Sequence, residues 1–164
     1  MLGIRRLTSD DAETYRAVRL EGLRLHPEAF GASYETEVEQ PLDFFANRLT
    51  NSTVFGAFEA DTLLGVAGHF APTSLKERHK ATLFGMYVRD TARGRGVGQM
   101  LVEAVVADAA AQFESILLTV ATANDGARRL YERCGFETYG IEPRSLKVDG
   151  VYYDEALMYR RLDG

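Results

Sequence analysis

Glycine alternates with arginine and valine over residues 93–98, in the order Arg-Gly-Arg-Gly-Val-Gly, between a predicted strand and a predicted helix. Glycine lets a ligand approach the main chain closely. A helix start offers unpaired N–H groups and a partial positive charge, which together favour an anion, most often phosphate. Arg93 and Arg95 would add full charges. A glycine-rich turn that merely connects strand to helix is the alternative interpretation.

The residues after the last glycine exclude two common phosphate ligands. A nucleoside triphosphate loop ends in Gly-Lys-Ser/Thr, whereas Gly98 is followed by Gln99 and Met100. The dinucleotide fingerprint G-x-G-x-x-G starts at Gly94 and Gly96 but has glutamine at its third glycine, and it belongs after the first strand of a fold, not the fourth. The segment therefore favours a pyrophosphate held by main-chain amides.

A second motif lies in the next predicted helix. Asn124 and Tyr131 are seven residues apart, which is two helical turns, so they share one face. Ala127 lies between them and leaves room for a ligand. Taken alone, Tyr131 is more simply an amphipathic tyrosine of the core.

Both motifs together resemble the GNAT superfamily of acetyl-CoA-dependent N-acetyltransferases. Arg93-x-x-Gly96-x-Gly98 is similar to the coenzyme A signature of that family. The run Asn124-x-x-Ala127-x-x-Leu130-Tyr131-x-x-x-Gly135-Phe136 is similar, position for position, to its fourth-helix motif. The whole chain, residues 1–164, resembles one minimal domain of this family.

This resemblance implies an α/β (mixed α+β) fold with a central sheet of about seven strands, helices on both faces and a splayed parallel strand pair. It implies acetyl-CoA as co-substrate, no metal, and a pantetheine arm that pairs with Met86, Tyr87 and Val88 opposite residues 118–121. A backbone N–H near Tyr87 or Val88 would hold the thioester oxygen. The implied coenzyme-binding residues are Met86, Tyr87, Val88, Arg93, Gly94, Arg95, Gly96, Val97, Gly98, Gln99, Asn124, Ala127 and Tyr131.

The implied reaction is direct transfer of an acetyl group to a primary amine. A tyrosine of ordinary pKa, about 10, stays protonated at neutral pH, so Tyr131 is the expected proton donor to the leaving thiolate. A base must deprotonate the amine. The sequence leaves four candidates open, each with a plainer structural role: Glu35, His69, Tyr87 and Asp154. Cys134 is expected to pack in the core, because a thiol relay needs exposure and an activating base.

We expect the acceptor to be a small-molecule amine. The residues expected to line its site are Phe30, Tyr34, Glu35, Tyr152 and Tyr153. A protein or peptide N-acetyltransferase and a non-catalytic acyl-CoA sensor are the alternatives. A homodimer is compatible with the resemblance, although no interface follows from the sequence.

Hydrophobic patterns predict the elements that position these motifs. Predicted strands cover 2–7, 53–60, 63–71, 81–88, 115–121, 136–140 and 151–160. Predicted helices run from a cap at 8–10 to Leu25, from Pro41 to Leu49, from 96 to 113 and from 124 to 134, and 30–40 is loop or broken helix. Turns are expected at Asp61-Thr62 and Asp149-Gly150. The β-α-β-α-β centre predicts parallel pairing, and the flanking hairpins predict antiparallel pairing.

Composition narrows the class of protein. With 164 residues, 46% hydrophobic and 26% charged, the chain suits one globular domain. One cysteine excludes an internal disulfide and a multi-cysteine zinc site. A net charge of -5 argues against a nucleic-acid coat or a polybasic membrane anchor. Residues 1–6 lack the apolar core of a signal peptide, and no apolar run approaches the ~20 residues of a bilayer span. The sequence therefore predicts a soluble, cytoplasmic protein.

Overall fold

Seven strands form one mixed sheet in the computed structural model, which describes residues 1–164. They are β1 (Leu2–Arg6), β2 (Thr53–Glu59), β3 (Thr62–Phe70), β4 (Lys80–Val88), β5 (Ser115–Ala121), β6 (Glu137–Val148) and β7 (Val151–Arg161). Their order across the sheet is β1-β2-β3-β4-β5-β7-β6. Only β4 and β5 pair in parallel, and every other neighbouring pair is antiparallel.

Helices cover both faces of this sheet, as the sequence predicts. They are α1 (Ala12–Leu25), α2 (Tyr34–Glu37), α3 (Leu42–Asn51), α4 (Val97–Ala110) and α5 (Asp125–Arg133). One face packs against α1 and α3 through a cluster that includes Tyr15 and Phe45. The other packs against α4 and α5 through a cluster that includes Leu101 and Tyr131. The predicted fold class, with its splayed pair, is confirmed.

A bulge in β4 changes which side chains face each layer. The register with β3 shifts between Val66 and Gly68, opposite Gly85, whose φ is 65°. Side chains alternate along a strand, so one extra residue moves the following side chains to the other face. Leu83 therefore packs on the α4 side before the bulge, whereas Tyr87 packs on the α1 side after it.

The two parallel strands separate after a short paired stretch. β4 pairs with β5 only from Lys80↔Ser115 to Thr82↔Leu117. On its other edge β5 stays paired with β7 along its whole length, from Ser115↔Arg161 to Ala121↔Glu155. Because β5 is held by β7, it cannot follow β4 through the bulge, and a split opens between their carboxyl ends.

Three local expectations are wrong. The turn after β2 is at Ala60-Asp61 instead of Asp61-Thr62, because the register pairs Glu59 with Thr62. The strand predicted at 136–140 continues to Val148, since Pro143 lies on the edge strand β6, where a missing N–H is tolerated. The predicted parallel pairing of the centre holds for β4 and β5 only, because β7 lies between β5 and β6.

Candidate active site

A cavity of about 750 Å³ occupies the split between β4 and β5. Its walls come from the carboxyl half of β4, the start of α4, α5, and the segment that follows α1. Side chains from both faces of the sheet contribute, including Phe30 on the α1 side and Leu130 on the α5 side. The cavity therefore passes through the sheet and is lined from both layers.

The glycine segment leaves three main-chain donors free at the start of α4. Gly94 and Gly96 have positive φ values of 78° and 77°, a conformation that suits glycine. The first intrahelical bond runs from the Met100 N–H to the Gly96 oxygen at 3.1 Å. The N–H groups of residues 97–99 therefore have no helical acceptor, and the first turn carries no acidic side chain. This is the geometry of an anion site.

The two arginines of this segment point in different directions. Arg93 lines the cavity, and its Nε lies 3.1 Å from Asp90 Oδ1. Arg95 does not line it; its Nη1 lies 3.3 Å from Glu59 Oε1 on β2. Only one of the two arginines, Arg93, therefore lines the cavity.

Gly98 allows α4 to approach its neighbours closely. A Cβ built at this position would lie 2.9 Å from Met86 Cε of β4 and 3.1 Å from Leu130 Cδ2 of α5. The first distance is shorter than real Cβ contacts, and the second is tighter than most of them. A side chain here would force the ends of the Met86 and Leu130 side chains to move within the cavity wall.

Tyr131 lies inside the cavity wall on α5. The helix begins after Asn124, whose side-chain oxygen accepts a hydrogen bond from the Ala127 N–H at 3.2 Å. Tyr131 is 6% exposed, and its ring packs edge-on against Phe136 with centroids 5.9 Å apart. Its hydroxyl has no hydrogen-bond partner within the chain. Because no fully buried side-chain oxygen lacks such a partner, the hydroxyl must be accessible, and the space beside it is the cavity. Burial, and after it the Cys134 thiol, raise the pKa of Tyr131.

On β4, the Val88 N–H is directed into the split. The next residue, Arg89, donates its N–H to the Leu64 oxygen on β3 at 2.9 Å. Consecutive residues of a strand direct their N–H groups to opposite sides. The Val88 N–H therefore points away from β3, toward the space from which β5 has separated.

A family model described as the acetyltransferase (GNAT) family matches residues 15–136, which is more than half of the chain. The chain belongs to the GNAT family. The family resemblance inferred from the two sequence motifs is thus confirmed.

Several proteins are similar to this GNAT chain. The L-methionine sulfoximine/L-methionine sulfone acetyltransferase of Pseudomonas aeruginosa is 33% identical over 48% of the chain and 46% of its own length. A GNAT acetyltransferase from Streptococcus pneumoniae has a TM-score of 0.87 at 22% identity, covering 98% of this chain and 99% of that one. A phosphinothricin acetyltransferase from Sinorhizobium meliloti, in complex with AcCoA, has a TM-score of 0.83 at 21% identity. The match covers 98% of this chain and 88% of that one. The chain spans 33% to 46% of the length of the curated relatives it matches.

Most of the residues that the sequence predicts for the coenzyme are brought to this one cavity. Those that line it are Met86, Tyr87, Val88, Arg93, Gly94, Gly96, Val97, Gly98, Gln99, Asn124, Ala127 and Tyr131. Arg95 is the exception, because its side chain pairs with Glu59. Of the residues predicted for the acceptor, Phe30 and Tyr153 line the cavity, whereas Tyr34, Glu35 and Tyr152 do not.

Two of the four candidate bases, Tyr87 and His69, already have carboxylate partners. The Tyr87 hydroxyl donates to Glu21 Oε2 at 2.7 Å. Burial, together with that carboxylate, raises the pKa of Tyr87, so it holds its proton more firmly than an ordinary tyrosine. His69 is 3% exposed, lies outside the cavity, and its Nε2 is 2.7 Å from Asp108 Oδ2.

The other two candidates, like His69, lie outside the cavity. Glu35 is exposed on the short helix α2, and Asp154 Oδ1 accepts the Arg144 N–H at 2.8 Å. The structure instead brings Glu28 to the cavity as its only carboxyl group, half-buried and without an ion-pair partner. Sequence reasoning missed Glu28 because no local pattern distinguishes it from the neighbouring acidic residues.

Cys134 packs in the core at the end of α5. It is 6% exposed, it belongs to the cluster that holds α4 and α5, and burial raises the pKa of its thiol. A thiol that is both buried and reluctant to ionise is a poor nucleophile, which agrees with the packing role predicted from the sequence.

The structure contains no group of three or more His, Cys, Asp or Glu side chains able to hold a metal ion. None of its helices has the length and apolar content needed to cross a lipid bilayer.

Proposed function

We propose that the chain is an acetyl-CoA-dependent N-acetyltransferase that moves an acetyl group directly to a primary amine of a small molecule. The observation that carries this proposal is the shared cavity. The free N–H groups at the start of α4 and the hydroxyl of Tyr131 line the same space, which passes through the sheet. The relatives named for L-methionine sulfoximine and for phosphinothricin support a small-molecule acceptor.

The residues present fit coenzyme A. Its diphosphate matches the unpaired N–H groups of residues 97–99 and the guanidinium of Arg93. Its narrow pantetheine arm matches the split, where β4 beyond Thr82 has no strand partner on the β5 side. When bound, acetyl-CoA supplies an acetyl group already activated as a thioester. The neighbour in complex with AcCoA supports the same donor.

Tyr131 is the proposed acid. Since its pKa is raised, the phenol stays protonated at neutral pH. Its hydroxyl makes no hydrogen bond within the protein, so the O–H can donate to the sulfur atom that gains negative charge. A positioned proton donor of this kind contributes roughly 10²- to 10⁴-fold in rate.

The Val88 N–H is the proposed donor to the carbonyl oxygen of the acetyl group. It is fixed in the strand and directed into the split, so no reorganisation is needed as charge develops on that oxygen. One such preorganised donor is worth about 3 kcal/mol of transition-state stabilisation.

Glu28 is the proposed base. An ammonium group must lose a proton before its nitrogen can attack a carbonyl carbon. Glu28 is the only carboxylate that lines the cavity, and it lies on the α1 side, opposite the α4 and α5 elements proposed to hold the coenzyme. A carboxylate there can attract the ammonium and accept its proton, directly or through water.

Calorimetry with acetyl-CoA, followed by measurement of thiol release with a panel of amines, tests the proposal. We expect heat of binding and release that depends on a small amine. Binding without release for any acceptor would identify a sensor, and release only with peptides would identify a peptide acetyltransferase. Absence of binding to both acetyl-CoA and coenzyme A would remove the basis of the proposal.

A further inference from the structure

One guanidinium beside the cavity has a donor that the protein does not use. Arg19 of α1 is 6% exposed and binds Glu37 through two bonds, from Nε to Oε1 at 3.0 Å and from Nη2 to Oε2 at 2.9 Å. Its third nitrogen, Nη1, has no partner within the chain. Since no buried side-chain nitrogen is left unpaired, Nη1 must open onto space that solvent or a ligand can enter.

This cluster carries one positive charge more than its single carboxylate can neutralise. Arg48 Nη1 lies 3.4 Å from Glu37 Oε1, so two arginines share one carboxylate. The side chains of Arg19 and Glu37 are only 7% and 4% exposed. A charge out of water is costly unless an opposite charge faces it, which makes this position suitable for an anion that binds reversibly.

The free nitrogen lies directly behind the bulge of β4. A Cβ built on Gly85 would have Arg19 Nη1 as its only neighbour within 4 Å, at 3.4 Å. On the other side, the Phe30 ring centroid is 5.5 Å from Arg19 Cζ. Both Gly85 and Phe30 line the cavity. Arg19 itself does not line the cavity, and Gly85, which has no side chain, stands between its Nη1 and the cavity.

We propose that Arg19 Nη1 binds the carboxylate of the acceptor, and that the acceptor is therefore a free amino acid. This inference rests on the proposed function and narrows its substrate class. A bond from guanidinium to carboxylate is charge-assisted and stronger than a neutral one. Such an acceptor is a zwitterion, and its ammonium matches Glu28, the one carboxylate of the same cavity.

The same geometry disfavours two other kinds of acceptor. A simple amine has no acceptor for the free Nη1 of Arg19. The amino terminus of a peptide carries an amide carbonyl where an amino acid carries a carboxylate, so it gains only a weaker neutral-acceptor bond. The apolar rings of Phe30 and Phe84 in the wall are suited to the amino acid's side chain.

The first test compares each of a panel of L-amino acids with its own amide and with the matching decarboxylated amine. Leucine, leucinamide and isopentylamine form one such set, and phenylalanine, phenylalaninamide and phenethylamine form another. We expect kcat/KM, followed by thiol release, to be about 10- to 100-fold higher for the preferred amino acid than for its amide. Release with amines or amides but no preference for any amino acid overturns the inference and leaves the proposed function intact. Absence of release with every acceptor overturns both.

The second test assigns the preference to Arg19. Arg19→Lys keeps a positive charge beside Glu37 but lacks the second guanidinium nitrogen that reaches Gly85. We expect this variant to have values of kcat/KM for an amino acid and for its amide that differ by less than about threefold. Arg19→Met should do the same if thermal unfolding shows that it folds. Arg48→Met is the matched control, because it removes the other arginine from Glu37 and leaves Nη1 in place. The assignment is overturned if Arg19→Lys keeps the wild-type ratio of kcat/KM for amino acid over amide, or if Arg48→Met lowers that ratio equally.

Discussion

Replacing Tyr131 by phenylalanine removes a single oxygen atom from the candidate site. The ring, its edge-on contact with Phe136 and its burial all remain. No internal hydrogen bond is lost, so we expect the free energy of unfolding to change by less than about 1 kcal/mol. The loss should be confined to proton donation.

For the chemical step we expect a fall of about 10²-fold or more in a single-turnover assay. The dissociation constant of acetyl-CoA should change by less than about threefold, because the oxygen contacts only the reacting end. Tyr159→Phe is a matched control: that tyrosine also packs edge-on against an aromatic ring, Tyr139, but lies outside the cavity. Stopped-flow mixing with a thiol reagent measures both variants.

The pH dependence gives a second readout for Tyr131. The active form is protonated, and burial raises its pKa above the ordinary 10.0. The alkaline loss of activity due to this group should therefore begin above pH 10 in the wild type, and it should be missing from the residual activity of Tyr131→Phe. A variant with the wild-type single-turnover rate would refute the reasoning.

Three further changes test other parts of the structure. Gly98→Val places atoms against Met86 and should weaken acetyl-CoA binding by at least ~tenfold in calorimetry, whereas Gly3→Ala, with no atom within 4 Å of its Cβ, should not. Glu28→Gln should lower kcat by about 10²-fold at neutral pH; an unchanged kcat would exclude Glu28 as the base. Glu37→Gln should lower the free energy of unfolding by about 3 kcal/mol at pH 7, and equal stability in urea would contradict this.

The stability effect at Glu37 should also depend on pH. Burial alone would raise the pKa of this carboxyl, but the hydrogen bonds and charge of Arg19, with Arg48, hold it below its ordinary value. A carboxyl whose pKa falls on folding stabilises the protein above its unfolded pKa, and the contribution is lost as the pH falls through the folded value. The difference between wild type and Glu37→Gln should therefore shrink below about pH 4.

The proposed coenzyme half of the cavity could be predicted from short stretches of sequence. Gly96 and Gly98 act through their own backbone and through the helix that starts beside them, and Asn124 caps the helix that carries Tyr131. Each of these relations spans fewer than ten residues. Local geometry of this kind is set by residue type and spacing, so two motifs were sufficient to indicate family and fold.

The proposed acceptor half could not be predicted in the same way. Glu35 and Tyr152 have suitable chemistry but point elsewhere, whereas Glu28 and Arg19 carry no local signal that separates them from other charged residues. Their positions depend on how α1 and the segment after it pack over β4, more than fifty residues later in the chain. The length of β6 was missed for a related reason, since its edge position makes Pro143 acceptable.

By itself, the sequence determined the family, the glycine segment at the start of α4 and the tyrosine of α5, because those features are local to one turn or one helix. Only the tertiary structure decided that β7 would hold β5 away from the bulged β4. The same long-range pairing left a passage through the sheet, and the packing of α1 and the segment after it placed one carboxylate in its wall and one buried guanidinium behind Gly85. Strand order and packing are sums over contacts between distant segments, and no single stretch of the chain contains them.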